Sequence, residues 1–235
     1  MAKIYVLQHH PAENLGLIAD ALEDAALAWQ YLRVFDGHPV PKDMKGAGGL
    51  ILMGGPMGVY ETDRYPFLRD EMRLIEAALK DDLPVLGVCL GAQILAAALG
   101  AKVAPNPKGK EIGWYPMRLS AAARDDRILS GLPETLTPFH WHGDIFELPK
   151  GATLLASSDK TTCQAFRHGD NAWGLQFHFE VTRKGIAAMA AAFAKELEQE
   201  KISADNMIAH AAEFMPALEK ISATVFSRWA GLARA

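Results

Sequence analysis

The first hundred residues alternate between short apolar runs and longer segments with helical spacing, and this alternation constrains the fold most strongly. Strand-type runs cover residues 3–8, 29–35, 49–53 and 84–88, and helix-type segments cover residues 14–28, 66–80 and 90–99. Strands separated by helices of about 10 to 15 residues indicate βαβ units with parallel strands. We therefore predict an α/β fold with a mostly parallel central sheet flanked by helices.

The chain changes character after residue 100. Proline and glycine break residues 101–179 into short runs, which predicts extra antiparallel strands at 112–119, 136–141, 153–157, 163–167 and 172–177. The remainder is helical, and Ser203 is placed to cap a long last helix that ends near Trp229. We expect one domain, in which residues 1–182 form the body and residues 183–235 form a helical tail packed on it.

Composition limits the class of protein. Half of the 235 residues are hydrophobic, so the chain can bury a substantial core and is not a disordered protein. Its formal net charge is −4 and its 24 basic residues are scattered, so we expect no nucleic-acid partner. The apolar runs are too short for a secretion signal or a membrane span, so we expect no membrane partner and a cytoplasmic location.

The two cysteines have unequal surroundings. Two cannot form a disulfide scaffold, and no C-x-x-C pair exists to hold zinc. Cys89 stands between a buried strand and a helix in the segment G-V-C-L-G, with Gly87 and Gly91 on either side. This is the pattern of a nucleophile elbow, whose glycines permit a sharp strand-to-helix turn and whose helix favours a thiolate. Cys163 has no such context, and we expect it in the core.

A thiol nucleophile needs a base and a group that orients the base. The segment Q-F-H-F-E supplies His178 and Glu180, which are two residues apart at the predicted end of a strand. Side chains at i and i+2 of a strand point to the same side, so this carboxylate can reach the imidazole. Alternatively, the pair is an ordinary polar strand end.

A glycine loop follows the strand at residues 49–53. Gly54 and Gly55 leave backbone N–H groups uncovered, which beside a nucleophile makes an oxyanion hole. One donor would be the N–H of Gly55 and the other the N–H of Leu90, directly after the cysteine. No G-K-S or G-K-T follows, so the loop is not a P-loop. A simple tight turn is the alternative interpretation.

The other histidines carry no motif. His9 and His10 follow the first strand, and we expect them at the surface rather than at the edge that holds the site. We expect structural or solvated roles for the rest, which are His38, His140, His168 and His210.

Together these segments resemble the class I glutamine amidotransferases with a Cys-His-Glu triad, over residues 3–180. The element G-V-C-L-G-A-Q is the most specific match. The segments M-G-G-P-M-G-V-Y, K-E-I-G-W and W-H-G-D are similar to the glutaminase domain of GMP synthase and its stand-alone relatives.

The resemblance implies a mechanism and a set of site residues. Cys89 would attack the side-chain amide of glutamine to form a γ-glutamyl thioester, with His178 as base and acid and Glu180 as orienting carboxylate. Water would then release glutamate, and neither a metal nor an organic cofactor is required. The resemblance also implies a substrate-binding set of Gly54, Gln93, Gly113, Trp114, His142, Gly143 and Asp144.

Two features depart from the family pattern. Phe179 stands where the family usually has proline between the histidine and the glutamate, which frees the backbone of His178. The chain also carries no ATP-pyrophosphatase segment. We therefore expect that it does not aminate a nucleotide by itself and that a separate ammonia-accepting synthase is a candidate partner.

Three functions stay open at this stage. The first is a stand-alone glutamine amidotransferase, and the second is a γ-glutamyl peptide hydrolase with the same triad and a larger leaving amine. The third is a non-catalytic regulatory subunit with the same fold, against which the complete triad argues.

Overall fold

The parallel strands predicted from the first hundred residues form four of the nine strands of the central sheet. The computed structural model describes residues 3–233. Its first half contains β1 (Lys3–Gln8), α1 (Leu17–Asp24), β2 (Ala28–Arg33), β3 (Ala47–Leu52), α2 (Phe67–Lys80), β4 (Val85–Val88) and α3 (Leu90–Ala98). The predicted α/β fold, with its flanking helices and C-terminal helix, is confirmed.

The middle of the chain adds short strands, and the end adds helices. The strands are β5 (Val103–Pro105), β6 (Glu111–Trp114), β7 (Met117–Leu119), β8 (Thr135–Leu136), β9 (Phe139–His142), β10 (Asp144–Phe146), β11 (Ala152–Ser157), β12 (Ala165–His168) and β13 (Ala172–Leu175). The helices are α4 (Arg183–Ala192), α5 (Ala194–Gln199) and α6 (Ala204–Ala230). Short 3-10 helices cover Val34–Asp36 and Ala121–Asp125.

Nine strands make up the central sheet in the order β2-β1-β3-β4-β13-β12-β11-β7-β8. The first five are parallel, and each pairing from β13 to β8 is antiparallel. The chain segments that follow β1, β3, β4 and β13 therefore leave the sheet at one edge, where open α/β sheets bind their ligands.

Helices cover both faces of the sheet. Successive side chains of a strand point to opposite faces, so each strand contributes to two separate cores. Ile4 and Val6 of β1 face the core under α1, α4 and α6, whereas Leu7 faces the core under α2 and α3. The Ser203 side chain accepts a hydrogen bond from the N–H of Asn206, as a helix cap does, so the predicted start of α6 is correct.

Two predicted strands are wrong in detail because proline interrupts them. Residues 112–119 divide at Pro116 into β6 and β7, which belong to different sheets. Residues 136–141 divide at Pro138 into β8 and β9 in the same way. A proline cannot donate to a strand ladder, so each ends one pairing and lets the chain change sheets. The released strands, β6 and β9, pair with each other above the edge that holds the site.

Candidate active site

Cys89 lies in the sharp turn between β4 and α3. Its backbone has φ 51° and ψ −108°, a conformation that residues other than glycine rarely adopt. The flanking glycines are required by space. A Cβ on Gly87 would lie 2.5 Å from the carbonyl oxygen of Gly91, and a Cβ on Gly91 would lie 2.0 Å from that of Leu52. The strand, helix and neighbouring strand therefore close tightly around the thiol.

The predicted His-x-Glu pair follows β13, the strand beside β4. His178 Nδ1 lies 2.6 Å from Glu180 Oε1, and both side chains are buried. The N–H of His178 donates to the carbonyl oxygen of Phe139 at 2.8 Å, which ties this segment to β9. The Cys89 thiol lies 3.4 Å from the carbonyl oxygen of Trp141, also on β9. The pairing of β9 with the segment after β13 thus encloses the thiol and the imidazole together.

The charges of these groups depend on one another. Burial lowers the pKa of His178, but attraction to Glu180 and the interaction with the Cys89 thiol outweigh burial and hold this pKa well above its ordinary value. Burial raises the pKa of the Cys89 thiol, and His178 opposes that rise. A raised imidazole pKa favours the histidine as proton acceptor for the thiol.

The glycine loop after β3 lies next to the thiol. Gly55 and Cys89 line the same cavity, and Leu90 is the first residue of α3, where helical N–H groups have no acceptor within the helix. A Cβ on Gly55 would lie 2.6 Å from the His9 Cβ and 2.9 Å from the Leu90 Cδ2, so the loop needs glycine to approach α3.

His9 is not a surface residue, and the expectation that it would be is wrong. Its side chain is fully buried, and Nε2 lies 3.0 Å from Glu71 Oε2 on α2. Its Nδ1 contacts the carbonyl oxygen of Gly54 at 3.2 Å. Burial lowers the pKa of His9, but the charge and hydrogen bond of Glu71 raise it overall. This pair fixes the glycine loop to α2, whereas His10 is half-buried.

Sequence reasoning also missed Glu13, which lies in the β1–α1 loop. Its side chain lines the cavity that contains Cys89, and it is only 5% exposed. One carboxylate oxygen of Glu13, a ring nitrogen of His178 and a carboxylate oxygen of Glu180 lie within 4.8 Å of one another. Burial raises the pKa of Glu13, opposed by the charge of His178. No motif marks this residue; only its position after a parallel strand could have indicated it.

The cavity has a volume of about 520 Å³, within the usual range for ligand sites of about 300–1,000 Å³. It brings together most of the residues predicted to bind substrate, namely Gln93, His142, Gly143 and Asp144, with Gly55 and Cys89. Gly54 is not among the residues that line it; its carbonyl oxygen contacts His9 Nδ1 instead.

Gly113 and Trp114 are not brought to this cavity. They line a second one, between β6 and the first turns of α6. The Trp114 Nε1–H donates to the carbonyl oxygen of Met207 on α6 at 3.1 Å, which turns the ring away from Cys89. Gly113 has φ +116°, so its backbone requires glycine.

The helical tail forms one wall of the cavity, a contribution not seen in the sequence. The lining includes Phe193, Lys195, Glu196 and Gln199. Glu196 accepts a hydrogen bond from the Trp141 Nε1–H at 2.8 Å, and its other oxygen pairs with Lys110 at 2.7 Å. These contacts fasten α5 over the strand pair β6–β9.

A second set of metal-type side chains, Glu111, His140 and His142, also has donor atoms within 4.8 Å of one another. Glu111 accepts hydrogen bonds from Ser158, Thr161 and Gln164, so hydroxyl and amide donors already hold its carboxylate. Burial lowers the pKa of His142 to about 3, which keeps this imidazole neutral. Histidine ligands bind metals in that neutral form, and our expectation of no metal stays a prediction.

Cys163, which we expected in the core, and Phe179, which stands where the family usually has proline, are both buried. Cys163 is 3% exposed, and burial raises its pKa to about 12, as suits a packed thiol. Phe179 is fully buried, and its ring meets that of Phe177 at a centroid distance of 4.6 Å. Phe179 therefore fills the core beneath the site. Among residues 3–233, no helix combines the length and apolar character that a bilayer crossing requires.

Comparison with known proteins identifies the family of the chain. The family model "Glutamine amidotransferase class-I" matches residues 12–197, so the chain belongs to the class I glutamine amidotransferase family. The glutamine amidotransferase-like protein YfeJ of Salmonella typhimurium is 31% identical over 190 residues, which cover 80% of this chain and 79% of YfeJ.

Two further relatives differ in how much of their own length this chain covers. The glutamine-hydrolysing GMP synthase of Porphyromonas gingivalis is 35% identical over 153 residues, covering 64% of this chain but only 28% of that protein. The crystal structure of a glutamine amidotransferase from Thermotoga maritima superposes with a TM-score of 0.89 and 34% identity, covering 97% of this chain and 98% of the other.

Proposed function

We propose that this protein hydrolyses glutamine to glutamate and ammonia through a γ-glutamyl thioester on Cys89, as a stand-alone glutamine amidotransferase. The observation that carries the proposal is the meeting of one strained thiol, one carboxylate-bound imidazole and one glycine loop in a single cavity. Family membership supports amide hydrolysis as the reaction class.

The proposed first step forms the thioester. His178 accepts the thiol proton, and Cys89 Sγ attacks the γ-carbonyl carbon of the substrate. The N–H groups of Gly55 and Leu90 stabilise the oxyanion that develops. His178 then gives its proton to the amide nitrogen, the C–N bond breaks and ammonia leaves.

The second step returns the enzyme to its starting state. His178 takes a proton from water, the hydroxide attacks the thioester carbon, and the C–S bond breaks to release glutamate while His178 returns its proton to Cys89 Sγ. The 2.6 Å contact between Glu180 and Nδ1 supports a fixed ring orientation and a stabilised imidazolium through both steps.

A direct assay tests this function. The purified chain is incubated with L-glutamine and the release of glutamate is measured, followed by labelling with a glutamine analogue that bears a chloroketone. We expect turnover, and we expect label on Cys89 and none on Cys163. Label on Cys163 alone would refute the assignment of the nucleophile.

The size of the cavity favours a second candidate, a γ-glutamyl peptide hydrolase. The cavity extends from Cys89 past Tyr60 to Glu196, which leaves room for a leaving group larger than ammonia. Comparing kcat/KM for glutamine with that for γ-glutamyl dipeptides separates the two candidates. If neither substrate turns over, the chain has the role of a non-catalytic subunit.

A separate ammonia-accepting synthase is the proposed partner for the first candidate. The GMP synthase relative is named for synthesis and for glutamine hydrolysis together, and the match covers only 28% of its length, which supports a synthase as the consumer of the ammonia. Two free buried thiols suit a reducing compartment, and we propose a cytoplasmic location on that ground.

A further inference from the structure

Glu13 is held rigidly by its own backbone. Its N–H donates to the carbonyl oxygen of His10 at 3.0 Å, and its carbonyl oxygen accepts from the Gln8 side chain at 3.1 Å. On the far side of the loop, the N–H of Leu17 donates to the carbonyl oxygen of Glu180 at 2.8 Å. The loop is therefore anchored to the same segment that carries the triad carboxylate.

The space that the Glu13 carboxyl group occupies depends on Gly54 having no side chain. A Cβ on Gly54 would lie 2.5 Å from Glu13 Oε2, so the first glycine of the loop makes room for this carboxyl group. This carboxyl group is only 5% exposed, and it borders the cavity that receives the substrate.

The position of Glu13 relative to His178 identifies the substrate atom that it meets. In the proposed reaction, His178 protonates the leaving nitrogen, so that nitrogen must come within hydrogen-bond reach of the imidazole. An oxygen of Glu13 lies within 4.8 Å of a ring nitrogen of His178. Glu13 also lines the cavity that contains Cys89, so an amide nitrogen held at the thiol and the imidazole can reach its carboxyl group.

We propose that Glu13 is a further catalytic residue that accepts a hydrogen bond from the N–H of the leaving amide nitrogen. This contact turns the nitrogen lone pair toward His178. Cys89 Sγ then bonds to the γ-carbon, the C–N bond breaks, and the His178 proton completes the amine that leaves. The inference rests on the proposed hydrolysis of glutamine through Cys89 and adds that the site selects substrates whose leaving atom carries hydrogen.

An ester substrate isolates this contact. Glutamate γ-methyl ester forms the same thioester on Cys89, but its leaving oxygen has no hydrogen for Glu13 to accept. Removing Glu13 should therefore slow hydrolysis of the amide and spare hydrolysis of the ester. The experiment measures kcat/KM for glutamine and for the ester with the wild-type chain, Glu13→Ala and Glu13→Gln. Glu23→Ala, an exposed glutamate on α1, is the matched control.

We expect Glu13→Ala to lower kcat/KM for glutamine about 10- to 100-fold, as loss of a hydrogen bond to a charged group does. The value for the ester should stay within about twofold, since kcat/KM reports acylation and the leaving oxygen of the ester has no hydrogen for Glu13 to accept. Glu13→Gln should recover part of the loss because its amide oxygen still accepts. Glu23→Ala should match the wild type on both substrates.

Three results would overturn the inference. An equal fall on both substrates would mean that Glu13 acts only through His178 or through folding, and no fall on either would mean no role. If Glu13→Ala does not fold, the near-isosteric Glu13→Gln decides by the same ratio, with an expected amide-specific loss of several-fold. Failure of the wild-type chain on both substrates would refute the proposed function itself.

Discussion

Two histidine–glutamate pairs are buried at the edge of the sheet that carries Cys89. They differ in whether the histidine has a free ring nitrogen. In both pairs the side chains are almost fully buried and the histidine pKa is raised. His9 uses both ring nitrogens, one on Glu71 and one on the carbonyl oxygen of Gly54. His178 uses Nδ1 on Glu180, and its other ring nitrogen is left for the Cys89 thiol.

The unused nitrogen separates a structural pair from a candidate catalytic one. Within residues 3–233, His178 Nε2 has no hydrogen bond of ordinary geometry, and its neighbour is the Cys89 thiol. A carboxylate partner and a raised pKa therefore do not identify a catalytic histidine. We propose that the free ring nitrogen beside the Cys89 thiol is what marks His178 as the candidate catalytic histidine.

Removing the thiol should have the largest effect. Cys89→Ser places a much weaker nucleophile in a site shaped for sulfur, and we expect glutaminase activity to fall by about 10⁴-fold or more. Glutamate release from glutamine measures this. Cys163→Ser is the matched control, since that buried thiol lies outside the cavity, and it should keep wild-type activity. Comparable losses in both variants would show that the assay reports folding rather than chemistry.

Replacing the two carboxylates should have the next largest effects on activity, and the two effects should differ. We expect Glu180→Gln to lower kcat about 10³-fold, because the imidazole loses the charge that stabilises its protonated form. Glu71→Gln should lower kcat less than about 10-fold, since it reaches the site only through His9 and the loop. Steady-state kinetics on glutamine provides both values. Equal effects would remove the distinction between the two pairs.

The sequence predicted one of these pairs and missed the other for a physical reason. His178 and Glu180 are two residues apart in the short segment after β13, so their local spacing keeps them within reach of each other. His9 and Glu71 are separated by 62 positions and meet only when α2 packs across the end of β1. No local pattern carries that information. The same holds for Glu13 and for Glu196, which reach the cavity from a loop and from the tail.

The same distinction between local and distant contacts explains which parts of the fold could be predicted. The elements before residue 100 were predictable because their apolar period and glycines act locally. In the middle of the chain, Pro116 and Pro138 end strands whose partners lie in other segments, so the sequence showed a break but not the change of sheet. Trp114 was misplaced for this reason, because β6 turns its ring toward α6.

Stability should respond to the structural pair more clearly than activity does. Glu71→Ala leaves the buried imidazole of His9 without its charge partner, and we expect the free energy of unfolding to fall by about 3 kcal/mol. Denaturant titration measures the loss. Glu76→Ala, an exposed position on the same helix, should change it by less than about 0.5 kcal/mol. A loss equal to that of the control would mean that the pair contributes nothing to folding.

The smallest effect is the dependence of stability on pH above 6.5. Because the folded-state pKa of His9 lies above the ordinary value of 6.5, its protonation stabilises the fold fully below that pH. This contribution is lost as pH rises through the folded pKa.

His178 behaves in the same way, so the wild-type free energy of unfolding should decline with a slope of at most about 1.4 kcal/mol per pH unit for each histidine. His9→Asn should make that decline shallower, whereas His210→Asn, at an exposed position on α6, should reproduce the wild-type curve. An unchanged slope in His9→Asn would show that His9 is neutral in the folded protein, and the two pairs would then differ in charge as well as in their free nitrogen.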